Sequence, residues 1–399
     1  MKIYDFETVT PRYDIGAPKW LAIEKYFPDR PKDVIPFSVA DMELPMAPEI
    51  VSGLKNFMDH YVLGYGKATK PYVQAVCDWM KNRHHWEIQP EWLVYTRGVV
   101  NAFYESVRAF TNEGDGVIMC TPIYYPMYDS IQKNGRKLAE CPMLNKGTHY
   151  ELDFDLMEKL AAQPENKLLI FCNPHNPGGR VWTKDELNRV ADICIRNNII
   201  IASDEIHFDL IAPGVEHTVF ASLSPEVAQH CVIMTAPSKS FNLAGLETSN
   251  IIIPNEELRK RYKEEIQHSF MDDRCCLLGF EACRLAYTEA GDWLDQLNAL
   301  IAHNAKLVVD FLKKEYPTVQ CMDMEGSYLL WMDFSSLGIE THELGELLRR
   351  EGKLFFDDGY IFGKAGEGYE RWNLACPIKY VEDGLVRLKE VLDRHRKDQ

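Results

Sequence analysis

The stretch "NKLLIFCNPHNPGGRVWTKDELNRVADICIRNNIIIASDEIHFDL", residues 166–210, carries the reading of the fold. It opens on an unbroken apolar run, "LLIFC" (168–172), which is too short for a helix and stops at a Pro/Asn/Gly-rich loop. Such a run reads as a strand buried on both faces. A helix follows: Thr183 and Glu186 stand in capping-box spacing, and Leu187, Val190, Ala191 and Cys194 share one face. A second apolar run, "IIIAS" (199–203), then ends in the polar cluster "DEIHFD". Strand, helix, strand, with both strands apolar throughout, predicts an α/β fold: a mostly parallel sheet covered by helices on both faces.

The alternation extends in both directions. "GVIMC" (116–120) reads as a strand before the helical "YYPMYDSIQKNG", and "CVIMTA" (231–236) as another. "LAGL" (243–246) makes a poor helix because of Gly245. The C-terminal part has a different texture. A long amphipathic helix, "GDWLDQLNALIAHNAKLVVDFLKKEY" (291–316), leads to the alternating strand "SYLLWMDF", the helical "THELGELLRR" and the strand-like "RWNLACP". This predicts a smaller α+β domain. The N-terminal segment carries Pro11, Pro18, Pro28, Pro31, Pro36, Pro45 and Pro48, too many for a domain of its own, and is expected to lie along the others as an arm. The expected division is 1–48 for the arm and part of the small domain, 49–286 for the large domain, and 287–399 for the small one.

Composition narrows the function classes. The 399 residues carry a net charge of −16, opposite to the basic footprint of a nucleic-acid binder or of a protein drawn to anionic membranes. No apolar run approaches the ~20 residues of a membrane span, and "MKIYDFETVT" has no apolar signal core. The 11 cysteines include no Cys-x-x-Cys pair. Cys120, Cys172, Cys194 and Cys231 lie in apolar runs and read as buried thiols of a cytoplasmic protein, with Cys275 and Cys276 as core residues too. His84, His85 and His217 lack metal-ligand spacing and are assigned to the surface, and "RHRKDQ" (394–399) to a solvated tail.

In an open parallel sheet a ligand sits beyond the carboxyl ends of the strands. Tyr124 and Tyr125 follow the first of these strands. Asn173, His175 and Asn176 follow the second, Asp204, Glu205, His207 and Asp209 the third, and Ser238, Lys239 and Ser240 the fourth. A lysine at a dry strand end loses its charge readily and can form a Schiff base. A carboxylate facing a ring nitrogen keeps a pyridinium protonated, an aromatic ring stacks on it, and an amide bonds its phenolic oxygen. Pyridoxal 5'-phosphate uses these groups together. In "YTRGVVNAFYESVRAF" (95–110) a glycine turn opens a helix, so the amides of Gly98, Val99 and Val100 can cradle its phosphate.

These residues resemble the fold-type I pyridoxal-phosphate enzymes of the class I/II aminotransferase superfamily, and more closely its MalY/PatB-like cystathionine β-lyase branch, the C–S lyases. "YDFETVTPRYDIGAPKW", "FSVADMELPMAPEI", "CNPHNPGGRVW", "SDEIHFDL", "PSKSFNLAGL" and "RWNLACP" carry the resemblance, which covers essentially the whole chain. It implies an aminotransferase-like three-layer large domain plus a smaller α+β domain. Lys239 would hold the cofactor and move the proton, Asp204 would pair with the ring nitrogen, Asn176 with the phenolic oxygen, and Tyr124 would stack on the ring. Ser238 with the amides at Gly98, Val99 and Val100 would bind phosphate, with His207 beside the cofactor where many aminotransferases have tyrosine. Arg371 would clamp the substrate α-carboxylate, with Asn176 beside it. Tyr65, in "LGYGK", would reach the neighbouring subunit's site in a homodimer with shared active sites.

The implied reaction is β-elimination on a small sulfur amino acid, cystathionine or another S-substituted cysteine, giving thiol, pyruvate and ammonia. An aminotransferase acting on a small or aromatic amino acid is the alternative, and a regulatory protein contact a third role. The substrate side-chain pocket is expected near Met42, Glu43 and Tyr125. Three positions depart from the pattern. Glu247 stands eight residues after the lysine, where an arginine usually meets the phosphate, and is expected to point elsewhere. Arg97 precedes Gly98 where a small residue or proline is more usual and could supply missing charge, and Leu21 replaces a common acidic residue.

Overall fold

The computed structural model describes residues 2–269 and 275–396. Seven strands form the large sheet: β1 (Leu93–Thr96), β2 (Gly116–Thr121), β3 (Lys137–Pro142), β4 (Asn166–Cys172), β5 (Ile200–Asp204), β6 (Cys231–Thr235) and β7 (Ser249–Ile252). Their order across the sheet is β1-β7-β6-β5-β4-β2-β3. Strand β7 runs antiparallel to both its neighbours, while the pairs from β6 across to β3 are parallel. The mostly parallel sheet expected from the apolar runs is therefore present.

Both faces of the central strands β2, β4, β5 and β6 are dry, which explains why these strands read as continuous apolar runs, whereas the edge strand β3 is largely exposed. Alternate residues go to opposite sides. Ile118, Leu169, Ile201 and Ile233 join one core, which also takes Leu187, Val190, Ala191 and Cys194 of the helix Lys184–Arg196. Val117, Met119, Leu168, Ile170, Val232 and Met234 join the other, against Ala102, Phe103 and Val107 of the helix Val99–Phe110. The capping box holds: Thr183 accepts from the Glu186 amide, and the Glu186 carboxylate accepts from the Thr183 amide.

A second, antiparallel sheet has the order β8-β9-β11-β10, from β8 (Gln320–Cys321), β9 (Leu329–Asp333), β10 (Asp357–Asp358) and β11 (Tyr369–Asn373). The helix Gly291–Glu315 links the two units. Trp293, Leu294, Leu297 and Ile301 pack into the large-sheet core, whereas Val308 and Leu312 pack against the second sheet. Ile35 and Phe37 belong to this smaller core too, and Ile35 bridges to Leu354. We propose the division into a large and a small unit on this ground, with residues 34–37 on the small side.

The N-terminal arm contains a helix, Pro18–Tyr26, because proline is well tolerated in the first helical turn. Three sequence expectations need correction. His84 and His217 are not surface residues: the His84 ring stacks on Phe208 and its Nε2 lies 2.8 Å from Asp209, while the His217 side chain is only 2% exposed. Cys276 is exposed and precedes a helix instead of joining the core, and Cys275 is half-buried. Arg394 and His395 end the last helix, Ile378–His395, and pair with Glu351; residues 397–399 of the expected tail lie outside the described residues. Cys120, Cys172, Cys194 and Cys231 are buried as expected.

Candidate active site

The carboxyl ends of β2, β4, β5 and β6 open onto one cavity. Its wall contains Lys239, Asp204, Asn176, Tyr124, His207, Ser238, Gly98, Val99 and Val100, all brought together from separate parts of the sequence. Two of the site residues expected from sequence do not line it. Arg371 joins through its bond to Asn176, and Tyr65 stands away, fully exposed at 102%.

Each wall residue is placed by an ordinary local device. Strand β5 ends at Asp204, whose side chain faces the cavity and accepts from the Ile206 amide at 3.1 Å. Glu205, one residue on, turns the opposite way and accepts from Ser203 and the Phe220 amide. Burial raises Asp204 from 3.8 to about 7, against the opposing pull of the nearby Lys239 charge. Lys239 lies in a single helical turn, Pro237–Ser240, after β6, and its Nζ donates to the Ala40 carbonyl at 2.7 Å. Burial lowers its amine to about 8, with Asp41 opposing and Arg371 assisting the shift. That lysine is the residue type with the least reason to sit at a dry strand end unless its neutral form is used.

Gly98 has φ +87° and ψ 160°, a conformation essentially reserved for glycine, and caps the helix Val99–Phe110. The helix therefore presents its first amides, those of Val99 and Val100, to the cavity as an anion seat. Arg371 on β11 is buried; its Nη1 donates to Asn176 Oδ1 at 2.9 Å and its Nη2 to Asp357, while its Nε has no partner. Because Asn176 Oδ1 is occupied, its amide nitrogen is the group left to donate into the cavity. His207 is buried, edge-on to Tyr328, with Nδ1 lacking a partner. Burial, and then the charges of Lys239 and Arg371, hold its ring well below the usual histidine range, so it is neutral. Burial also raises the Tyr124 phenol, which stays protonated.

Glu247 does not stay away as expected. It is exposed and borders the cavity, at φ +43°, together with Thr248. Arg97 borders the same cavity, so a cationic and an anionic residue share its rim. Met42 and Glu43 do not line it. Met42 is buried, and Glu43 pairs with Arg12 and with the buried Lys19. Ala40, just before them, is the residue that reaches the cavity. Tyr125 is half-exposed, its ring against Tyr124 and Phe362. Sequence reasoning missed Ala40, Tyr328 and Asp357. Ala40 acts through its backbone carbonyl, which no side-chain pattern announces; Asp357 could have been sought as the counter-charge that a buried Arg371 requires.

Fold and site together define an enzyme of the aminotransferase type. The chain belongs to the family "Aminotransferase class I and II", whose pattern it matches over residues 32–388. Within that family it is 39% identical to the cystathionine β-lyase PatB of Bacillus subtilis, over 90% of this chain and 93% of that protein. It is 29% identical to the protein MalY of Escherichia coli, over 97% and 98%. Among solved structures it resembles cystalysin from Treponema denticola, which contains pyridoxal 5'-phosphate, with a TM-score of 0.96, 44% identity, and 98% and 100% of the two chains covered. It also resembles the pyridoxal-phosphate-bound C–S lyase of Staphylococcus hominis, with a TM-score of 0.90, 30% identity and 98% of each chain covered.

Proposed function

We propose that this protein is a pyridoxal-phosphate-dependent carbon–sulfur β-lyase that cleaves cystathionine or other S-substituted cysteines to thiol, pyruvate and ammonia. The observation that carries the reading is the placement of a lysine amine, depressed to about 8, in one cavity with a buried carboxylate raised to about 7. Among the described residues Asp204 forms no direct ion pair and feels the Lys239 charge only from nearby, so a pyridinium nitrogen would supply its partner; Arg371 Nε has no acceptor, which a substrate carboxylate would supply. The residues present therefore fit the cofactor. When bound, pyridoxal phosphate supplies an electron sink for the carbanion left by α-proton removal.

The chain's own residues do the rest. Lys239 would hold the cofactor, and its neutral amine would take the α-proton. Asp204 would pair with the ring nitrogen, Asn176 with the phenolic oxygen, and Tyr124 would lie against the ring. His207, held neutral, would stand beside the cofactor without adding charge. Ser238 and the helix amides at Val99 and Val100, entered through Gly98, would hold the phosphate. Arg371 orients the substrate α-carboxylate through charge-assisted bonds. The reading includes a homodimer in which Tyr65 reaches the partner's site. It is supported by the exposed apolar segment Tyr61, Val62, Leu63 and Tyr65, a contiguous patch of the kind that marks contacts. It also includes a cytoplasmic setting, supported by the buried thiols; no described helix is long and apolar enough to cross a membrane.

The test is to incubate the cofactor-loaded enzyme with L-cystathionine and no keto acid, following pyruvate and free thiol over many turnovers, with Lys239→Ala as control. Equal, sustained release of both establishes β-elimination. A single stoichiometric turnover that restarts on adding a keto acid makes the protein an aminotransferase.

A further inference from the structure

Residues 39–41 form a strap with an unusual backbone, and its middle residue, Ala40, lines the cavity. Val39 has φ +55°, a conformation that a β-branched residue avoids and that persists only where its surroundings fix it. The fixing groups are identifiable. The Val39 amide donates to Asp357 Oδ2 at 2.9 Å, and its carbonyl accepts from Asn373 Nδ2 at 2.7 Å. The Asp41 carbonyl accepts from Asn373 Nδ2 at 2.6 Å and from the buried Lys19 at 3.0 Å. Between them the Ala40 carbonyl accepts from Lys239 Nζ and, at 2.9 Å, from the Tyr328 hydroxyl.

One oxygen joins this strap to the substrate side. Asp357 Oδ2 accepts from Arg371 Nη2 as well as from the Val39 amide, and Asp357 and Arg371 face each other across β10 and β11. A continuous path runs from Arg371 through Asp357 and Val39 to the Ala40 carbonyl and the amine of Lys239. We propose that Asp357 is a positioning residue with two duties: it orients the Arg371 clamp, and through Val39 it sets the carbonyl on which the displaced Lys239 amine rests. The proposal rests on the lyase-site reading only for the roles of Arg371 and Lys239, which an aminotransferase would share. A residue serving only as counter-ion to Arg371 would need no bond to the strap.

The two duties separate with two unreactive probes and the visible absorbance of the cofactor-loaded enzyme. Isobutyrate offers a carboxylate but no amine, so it engages the clamp alone. 2-Aminoisobutyrate has no α-hydrogen. Its amine exchanges with Lys239 on the cofactor, one C=N bond forming as the other breaks, and it then goes no further. Its binding therefore reports the clamp and the resting place of the lysine together. Asp357→Ala should weaken isobutyrate by about tenfold and 2-aminoisobutyrate by a clearly larger factor, about a hundredfold. Asp357→Asn keeps an oxygen for the Val39 amide, so it should weaken both probes by one common, smaller factor. The charged groups acting on Lys239 (Asp41, Arg371, Asp204 and Lys19) are unchanged in every variant. Equal factors for the two probes in Asp357→Ala would refute the second duty. Should that variant fail to fold, a larger loss for 2-aminoisobutyrate than for isobutyrate in Asp357→Asn would refute the path through Val39. No spectral response of the unaltered enzyme to 2-aminoisobutyrate overturns the site reading itself, and the proposal with it.

Discussion

At the scale of single residues, Lys239 and Asp204 are titrating groups pushed toward each other's range. Free lysine titrates near 10.5, and Lys239 near 8. Cofactor uptake by the apoprotein needs the neutral amine, so its rate should rise about tenfold per pH unit up to about 8 and level off above it, whereas for an ordinary lysine it would climb to about 10.5. Stopped-flow absorbance at a series of pH values checks this; a rate still climbing at pH 10 contradicts it. For Asp204 the folded pKa lies above the unfolded one, so the folded state binds more protons between 3.8 and about 7, and its contribution to stability falls as pH rises through that window. Asp204→Asn should therefore leave the apoprotein's stability unchanged near pH 4 and raise it by at most ~4 kcal/mol at pH 8, while weakening cofactor binding. Thermal melts of both apoproteins at the two pH values decide it. The identity of these residues was legible in the sequence, since each stands at the end of an apolar strand. The rim was not. Glu247 was expected to turn away because its charge opposes a phosphate, but its local 3-10 turn keeps it beside the cavity in the left-handed region, independent of that electrostatic argument.

At the scale of elements, the readable features were those whose cause is local. Apolar runs marked the four central strands of the large sheet, β2, β4, β5 and β6, and a capping box marked the helix Lys184–Arg196. Thr183→Ala should cost about 1 kcal/mol, measured by chemical denaturation, and leave cofactor affinity alone. The turn at Gly98 behaves otherwise. A Cβ there would meet no atom within 4 Å, so Gly98→Ala is penalised by backbone conformation alone. It should lose about 1–3 kcal/mol of stability and, by tilting the first helical amides, weaken cofactor binding as Thr183→Ala does not. Fluorescence titration of the two variants separates an ordinary cap from one that also seats an anion. The helix Pro18–Tyr26 escaped notice because seven prolines obscured one that sits well in a first turn. Antiparallel β7 escaped notice because strand direction depends on the connection and not on composition.

At the scale of the molecule, the apolar segment around Tyr65 raises the matter of a second copy. If Tyr65 completes a partner's site, Lys239→Ala and Tyr65→Ala damage different halves of one dimer. Mixing the two inactive variants, with unfolding and refolding together, should restore about a quarter of the original activity, because half of the statistically formed dimers carry one intact site. No recovery, with mixed dimers shown by mass spectrometry, places Tyr65 in its own chain's site. The burial of His84 and His217 belongs to this scale as well. No spacing rule reveals it: Asp209 meets the His84 ring from 125 residues away in sequence, and Glu205 at the end of β5 meets His217 across the following loop.

The ion cluster of the N-terminal arm has a practical consequence. Arg12 and the buried Lys19 are the cations that meet Asp41 and Glu43, and Asp41 closes the strap over the lysine. A protease cutting after residue 20 would carry off both cations while leaving the cavity lining intact. The buried Glu43 and the half-buried Asp41 would be left without these counter-charges. Such a clipped enzyme should lose activity in step with the cleavage, so trimming that end to aid purification or crystallisation would disable the protein at a distance.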